Sequence, residues 1–361
     1  MNSLKKVFAV LLIVAMLFSF AGCHKKGEIA VTVDGLEFTS AYYMCALVMA
    51  DGEARSKVQE EAKETDTEID YFSKKIDGKK YVDWVKDTAL ESLKKIAAYK
   101  IKCDDAKLEV KDETVTNTKS YASYYWYNYG YQAMLEPNGI SYNTYEQYML
   151  DSNYSGTYFE HVYGKGGEKE VPAKDVEKSL YENFEIANVL EASFDSIEED
   201  EIKSLKEKFN KYYEELKDGK KSFEEVYNDH NGIKPEEDKK DEEKEEDEDN
   251  EELEPKDKYA TILGTDKTDY ASDHFKTVQK MKTNEIKLVE LDEKKGLVLL
   301  IKKDIKADPY YLDSMDLTVR DMLKGDEFEK TIDEFVKTLK LDEDKYATGQ
   351  FKVKKIKYPE N

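Results

Sequence analysis

An acidic run in the middle of the chain sets the strongest limit on how this protein can fold. Residues 236–254 hold fourteen acidic side chains and three lysines. These charges repel one another, and almost no apolar surface is present to offset the entropy lost when a segment becomes ordered. The run, within 234–258, is therefore predicted to be a disordered, solvated loop insertion, with folded structure on both sides of it.

The composition limits the number of domains and the kinds of partner. The chain has 361 residues, of which 40% are hydrophobic, enough to build two or three separate cores. Its formal charge at pH 7 is −23. This charge makes nucleic acid an unfavourable partner, because binding to a phosphate backbone needs a basic surface. The same charge predicts that anionic lipid repels the body of the protein.

The N-terminus has the features of an export signal. Two lysines precede an apolar stretch over 7–20, which is the order found in a secretory signal, and the stretch is shorter than the roughly 20 residues of a spanning helix. Residues 20–23, Phe-Ala-Gly-Cys, resemble a bacterial lipobox. The resemblance implies removal of a 1–22 signal peptide, acylation of Cys23, a tether over 23–27, and anchoring to the outer face of the bacterial cytoplasmic membrane. A plain secreted protein is the alternative.

Residues 28–183 are dominated by helical patterns. Asp-Gly at 34–35, between two short apolar segments, predicts a tight hairpin at the start. Apolar residues then recur at spacings of three, four and seven, which marks one face of a helix. One helix is expected over 112–135, where seven aromatic residues fall between 121 and 131. The following Pro-Asn-Gly at 137–139 predicts where it ends.

The pattern changes to strands after residue 183, so a second domain is predicted over 184–304. Strand patterns alternate there with amphipathic helices, which indicates a small α+β unit. The last segment, 305–361, is predicted to complete the helical domain, with a helix over 310–340 and an edge strand over 351–358. The fold class expected for the whole chain is α+β.

Motifs for metal, phosphate or covalent chemistry are missing from the sequence. None of the four histidines has metal-ligand spacing to another histidine or a cysteine, and neither a phosphate-binding loop nor a nucleophile elbow occurs. No metal and no cofactor are therefore predicted. Cys45 and Cys103 lie in helical apolar patterns, where buried inert thiols are favoured, although the sequence leaves a disulfide bridge open.

Short motifs follow one another along most of the chain in a characteristic order. They are Val-Thr-Val-Asp-Gly at 31–35, Asn-Gly-Ile-Ser at 138–141, Ala-Asn-Val-Leu at 187–190, Leu-Gly at 263–264 and Gly-Leu-Val-Leu-Leu-Ile at 296–301. Their order resembles the PrsA and SurA-type foldase lipoproteins. That resemblance implies a helical, SurA-like chaperone domain interrupted by a parvulin-like peptidyl-prolyl isomerase domain.

The resemblance also points to the positions that carry catalysis in parvulins. Where parvulins have two histidines and an aspartate, this chain has Asn188, Val298 and Ile262. The valine and isoleucine side chains neither donate nor accept hydrogen bonds. The resemblance therefore implies a degenerate domain with little or no isomerase activity, and an active isomerase that uses a non-standard site is the alternative function.

Tyrosine is concentrated in the helical domain, with twelve of the 27 tyrosines between 121 and 163. Because a buried tyrosine hydroxyl needs a partner, such a cluster suits a partly hydrated groove better than a dry core. Unfolded exported polypeptides are the predicted partners, and a solute-binding lipoprotein is a second alternative. The residues predicted to bind these clients are Tyr124, Tyr127, Tyr131, Tyr145 and Tyr148.

Overall fold

The structure is a computed structural model that describes most of the chain. The predicted signal peptide, the tether with Cys23, and residues 234–253 of the predicted acidic insertion lie outside the described residues. The residues that the structure describes are 28–62, 69–195, 197–233, 254–291 and 295–359.

The chain divides into two compact units, and the α+β fold class is confirmed. The first unit lies within Met1–Lys169 and Asp326–Asn361, and the second is Glu170–Gly325. Small antiparallel sheets accompany long helices in the first unit, whereas the second is built on a four-stranded antiparallel sheet.

The first unit begins with a hairpin and continues as helices. The turn at Asp34 and Gly35 has φ angles of 43° and 89°, as a two-residue hairpin turn requires, so the predicted hairpin is confirmed. Helices α1 (Ser40–Ala62), α2 (Tyr81–Ala106) and α5 (Tyr142–Tyr163) pack against one another around a core that includes Leu47 and Leu93. The elements of this segment are β1 (Ile29–Val33), β2 (Leu36–Thr39), α1 (Ser40–Ala62), β3 (Lys75–Ile76), β4 (Lys79–Lys80), α2 (Tyr81–Ala106), α3 (Asp112–Asn128), α4 (Tyr131–Leu135) and α5 (Tyr142–Tyr163).

The second unit contains a sheet with strand order β6-β5-β8-β7 and apolar residues on both faces. On one face of the sheet, Leu190 and Leu299 pack against helices α7 (Glu199–Lys217) and α8 (Phe223–Asn231). On the other face, Val298 and Leu300 pack with Val278 of α9 (Phe275–Gln279). Its elements are α6 (Ala173–Asn183), β5 (Phe184–Ser193), α7 (Glu199–Lys217), α8 (Phe223–Asn231), β6 (Ala260–Gly264), α9 (Phe275–Gln279), β7 (Ile286–Glu290), β8 (Gly296–Lys303) and α10 (Pro309–Ser314).

The chain then returns to the first unit through α11 (Asp316–Thr338), β9 (Leu341–Glu343) and α12 (Lys345–Gly349). Strand β9 pairs antiparallel with β1, giving a sheet of order β2-β1-β9. The helix predicted over 310–340 is two helices, which Met315 separates. The edge strand predicted over 351–358 is wrong: the segment contains a short 3₁₀ turn at Val353–Lys355 and joins none of the sheets among the described residues. Its contact with the core is the buried Val353 side chain rather than a ladder of backbone hydrogen bonds.

Candidate functional site

Helix α3 exposes a row of aromatic rings near its C-terminal end. The exposed fraction of these residues ranges from 36% for Tyr125 to 64% for Tyr127. Exposed aromatic residues at this density are unusual on a protein surface and mark interaction sites. We call this group the tyrosine surface; it consists of Tyr121, Tyr124, Tyr125, Tyr127 and Tyr129.

A separate face of α3 holds the helix in place. Thr118, Ala122 and Trp126 recur at a spacing of four, and all three are buried. The Trp126 ring lies 5.6 Å from the ring of Tyr145 on α5, and Asn153 donates a hydrogen bond of 2.8 Å to the Thr118 hydroxyl. Because these contacts fix α3 from one side, the tyrosine surface is not needed to pack the helix.

The tyrosine surface lies in a nearly uncharged part of a highly charged chain. Charged residues make up 37% of the sequence, yet Lys119 is the only one between 114 and 135. The side chains around the rings are mostly Ser, Thr and Asn. A shallow open depression beside Tyr124 and Tyr127 is lined by Ser120, Ser123 and Asn128, with Lys119 as its one charged residue. Tyrosine with small polar residues is the composition of antibody combining sites, where it gives contact area and adaptable hydrogen bonding.

The aromatic helix is shorter than predicted. It ends at Asn128, and Gly130 has a φ of 75° before the separate helix α4 begins at Tyr131. A left-handed residue of this kind interrupts a right-handed helix, which accounts for the difference from the predicted range 112–135. The Tyr129 ring folds back, with its centroid 5.3 Å from those of Tyr124 and Tyr125. These contacts order the rings at the end of the surface.

The structure separates the five tyrosines predicted to bind clients. Tyr124 and Tyr127 belong to the tyrosine surface, whereas Tyr145 is only 1% exposed and is part of the core beneath it. Tyr131 is half-buried, with its ring 5.3 Å from that of Tyr145. Tyr148 lies 5.5 Å from the ring of Tyr42, and burial raises its pKa to about 12. Helical spacing alone did not identify Tyr121, whose exposure depends on which side of α3 packs, or Tyr129, which follows the end of that helix.

The three positions assigned from the parvulin resemblance do not meet at one site. Asn188 pairs with Ile301, and Glu191 pairs with Val298, across strands β5 and β8. Since residues three apart on a strand point to opposite faces, Asn188 and Val298 lie on opposite faces of the sheet. Ile262 pairs with Ile186, which gives it the face of Asn188, and the residue also borders a groove lined by His274 and Glu191.

Asn188 and Val298 are both buried. The side-chain oxygen Oδ1 of Asn188 accepts no hydrogen bond from the described residues. Val298 packs within the apolar layer that also contains Val278. Neither side chain is therefore placed to contact a substrate in solution.

A groove on the Val298 face holds polar groups that the sequence did not single out as a site. His274, which directly precedes α9, contacts the Glu191 carboxylate through Nε2. Val189, Tyr270 and Ser272 line the same groove. The pairing depends on β5 and α9 being adjacent in space, so no local motif predicts it. An apolar wall beside an imidazole and a carboxylate is an arrangement that can bind a peptide and exchange a proton.

The remaining reactive groups have structural surroundings. Cys45 and Cys103 are unpaired and buried, and burial raises the pKa of their thiols to about 12 and about 11, so they are poor nucleophiles. Within the described residues, no group of three or more metal-ligating side chains is arranged to hold an ion. No helix in that part of the chain has the length and apolar character required to cross a membrane.

Comparison with known proteins gives weak similarities only. No family model and no curated protein matches the chain. Foldase protein PrsA from Streptococcus pneumoniae is 14% identical with a TM-score of 0.38, covering 69% of this chain and 84% of that chain. Foldase protein PrsA from Lactococcus lactis is 13% identical with a TM-score of 0.37, and the match covers 90% of this chain and 99% of that chain. The functional conclusion therefore rests on the chain's own surfaces.

Proposed function

We propose that the protein is an exported, lipid-anchored chaperone that holds unfolded polypeptides on the tyrosine surface. The observation that carries this proposal is that one face of α3 packs against the protein while its tyrosines remain exposed. Its Trp126 face packs against α5, while four tyrosines of the same helix, and Tyr129 directly after it, stay exposed. Keeping so much aromatic area in water is unfavourable, so a partner that covers it gives the simplest physical reason for its presence.

The chemistry of the tyrosine surface favours an unfolded polypeptide as that partner. Each tyrosine offers an apolar ring to a side chain and a hydroxyl to a peptide group. The near absence of charge between 114 and 135 limits electrostatic selection by this segment, which suits clients of varied sequence. The surface is open rather than enclosed, so an extended chain can lie across it. Weak, sequence-tolerant binding is the expected result.

Export and anchoring rest on the N-terminal sequence. The apolar stretch over 7–20 and the Phe-Ala-Gly-Cys sequence that ends at Cys23 support a lipoprotein signal. Two acyl chains on Cys23 are sufficient for stable membrane attachment, whereas one is marginal. Cys23→Ala should release the protein from membranes, and the intact mass of the native protein should include the lipid. A mass that shows cleavage elsewhere or no lipid would contradict the anchoring.

Suppression of client aggregation tests the chaperone activity. The combined variant Tyr121→Ser, Tyr124→Ser and Tyr127→Ser should lose most of the suppression measured by light scattering. Its circular dichroism and melting should match the parent, because exposed side chains contribute little to stability. Tyr346→Ser is the control, since this residue is 74% exposed but lies outside α3. Full suppression by the combined variant would show that clients bind elsewhere.

A prolyl isomerase with a non-standard site is the second candidate, favoured by the groove in which His274 meets Glu191. We expect little or no turnover, because Asn188 and Val298 are buried on opposite faces of the sheet. A proline-peptide assay decides between the two. Robust turnover that His274→Ala abolishes, and that the control His161→Ala leaves intact, would establish the isomerase.

A solute-binding lipoprotein receives no support from the sheet architecture. Two parallel, doubly wound lobes are expected for that class. All pairs among the strands β1 to β9 are antiparallel, and the described residues show parallel pairing only as an isolated bridge between Gly264 and Ala271. A large increase in melting temperature caused by a small molecule would revive this alternative.

A further inference from the structure

Two lysine-rich segments occur in the first unit of this acidic chain. Residues 351–358 contain four lysines and no acidic residue, and residues 74–80 contain four lysines and one aspartate. All eight lysines are exposed. We call them the basic patch: Lys74, Lys75, Lys79, Lys80, Lys352, Lys354, Lys355 and Lys357.

One buried carboxylate joins the two segments. Asp51 on α1 is fully buried. The hydroxyl of Tyr81, which follows Lys80, donates to Asp51 Oδ1 at 2.8 Å. The hydroxyl of Tyr358, which follows Lys357, donates to Asp51 Oδ2 at 2.6 Å. The lysines at the two segment ends are therefore held on neighbouring parts of one surface.

Stacking contacts strengthen this connection. The Arg55 guanidinium lies over the Tyr71 ring at 4.5 Å and over the Tyr358 ring at 4.3 Å, and its Nε donates to Asp51 at 2.9 Å. The Lys354 ammonium lies 5.4 Å from the centroid of the Phe72 ring, beside the other lysine-rich segment. The basic patch is thus one preorganised surface rather than two independent segments.

Most of the positive charge in the patch is free to interact with a partner. Within the described residues, Lys79 is the one patch lysine that forms an ion pair, with Asp87 at 2.6 Å. Asp77 is the acidic residue of the 74–80 segment, and its carboxylate accepts a hydrogen bond from the Trp84 indole at 3.0 Å. The other patch lysines keep their charge without an acidic neighbour in contact.

The Lys352 end of the patch is close to the point where the described chain begins. The Ser40 amide donates to the Glu28 carbonyl at 3.0 Å, and Tyr43, one turn further along α1, lies 6.2 Å from the ring of Phe351. Phe351 directly precedes Lys352. A tether over 23–27 spans at most roughly 18 Å, at about 3.5 Å per residue. An acylated Cys23 would therefore hold this end of the first unit near the membrane.

We propose that the basic patch is an electrostatic contact for an anionic phospholipid surface, which orients the first unit on the membrane. Several exposed lysines spread over a surface match a plane of headgroups better than a single small ligand. The net charge of −23 does not prevent this, because charges beyond a Debye length of about 8 Å are screened at physiological ionic strength. The net charge predicts that anionic lipid repels the protein, but at the basic patch the local interaction is attractive.

Vesicle sedimentation tests the proposal with the full mature chain, residues 23–361, carrying Cys23→Ser. This chain cannot be acylated, so the outcome is independent of both the anchor and the chaperone activity. It should sediment with vesicles of phosphatidylglycerol and phosphatidylcholine but not with phosphatidylcholine alone, and increasing NaCl should release it. Lys352→Gln, Lys355→Gln and Lys357→Gln together should weaken partitioning about 100-fold, since each lysine near an anionic surface contributes a factor of about five.

A matched control separates the patch from overall charge. Lys165, Lys330 and Lys337 are exposed lysines of the same unit that lie outside the patch, and changing all three to Gln alters the net charge equally. This control should keep partitioning within about twofold of the parent, because the effect falls off within a Debye length. Equal weakening by both variants, or binding to phosphatidylcholine alone, would overturn the proposal. Stronger release by phosphate than by chloride at equal ionic strength would instead indicate a free phosphate site and would contradict it.

Discussion

Asp51 should be one of the most sensitive positions of the first unit. It is fully buried and accepts hydrogen bonds from Tyr81, Tyr358 and Arg55. Burial, with the adjacent Asp51 carboxylate, raises the pKa of both tyrosine hydroxyls, so they remain donors at neutral pH. In Asp51→Asn the remaining oxygen can still accept from Tyr81, but the new NH₂ group cannot accept from Arg55 or Tyr358.

The expected loss of stability follows from those two missing bonds. A hydrogen bond to a charged group contributes about 1.5–3 kcal/mol. Arg55 is partly exposed and can bind water, so we expect Asp51→Asn to lower the free energy of unfolding by about 3 kcal/mol. For a unit of this size that corresponds to a decrease in Tm of about 6–12 °C. Tyr358→Phe removes one bond and should cost about half as much.

Urea unfolding followed by circular dichroism measures this effect. Glu91→Gln is the control, because Glu91 is exposed in the middle of the neighbouring helix α2, and it should change stability by less than about 0.5 kcal/mol. A loss below about 1 kcal/mol for Asp51→Asn would refute the conclusion that this carboxylate anchors the C-terminal segment.

Three further predictions concern other parts of the chain. Tyr145→Ala should destabilise the first unit by about 3–5 kcal/mol, because the ring is buried against Trp126, whereas Tyr127→Ala should be nearly neutral in denaturant unfolding. Burial lowers the pKa of His230 below its ordinary value of 6.5. As the pH decreases through about 6.5, the unfolded state therefore takes up a proton before the folded state does, and the free energy of unfolding should fall. His230→Phe should remove that part of the pH dependence. Deleting 236–254 should leave melting almost unchanged, since an acidic run with so little apolar surface contributes no core; a large decrease would show that it packs.

Local sequence signals predicted the elements whose geometry is determined within a few residues. The Asp34-Gly35 turn has positive φ at both positions, and the predicted change to strands after residue 183 corresponds to β5, which begins at Phe184. Strand β9 escaped prediction because it has three residues and pairs with β1 from the opposite end of the chain through backbone bonds. A backbone pairing over that separation leaves no local pattern.

Of the five tyrosines predicted to bind clients, the structure exposes Tyr124 and Tyr127 and buries Tyr145. Helical spacing shows which side chains share a stripe, but it does not show which stripe packs against a neighbour. The burial of Trp126 against α5 decided that Tyr127 is outside and that Tyr145 is inside. In the second unit, strand register decided that Asn188 and Val298 lie on opposite faces. A shift of one residue reverses this relation, and register is set by partner strands distant in sequence.

Site-specific photo-crosslinking tests the central claim, that the tyrosine surface binds unfolded polypeptide, most directly. A photoreactive phenylalanine analogue is placed at Tyr127 and, as a control, at Tyr346, two positions with similarly large exposure. The protein is illuminated with a permanently unfolded client and with the same client in its folded form. We predict crosslinks from position 127 to the unfolded client, with few from position 346 and few to the folded client. Equal crosslinking from both positions, or none from 127 while aggregation is still suppressed, would contradict the claim.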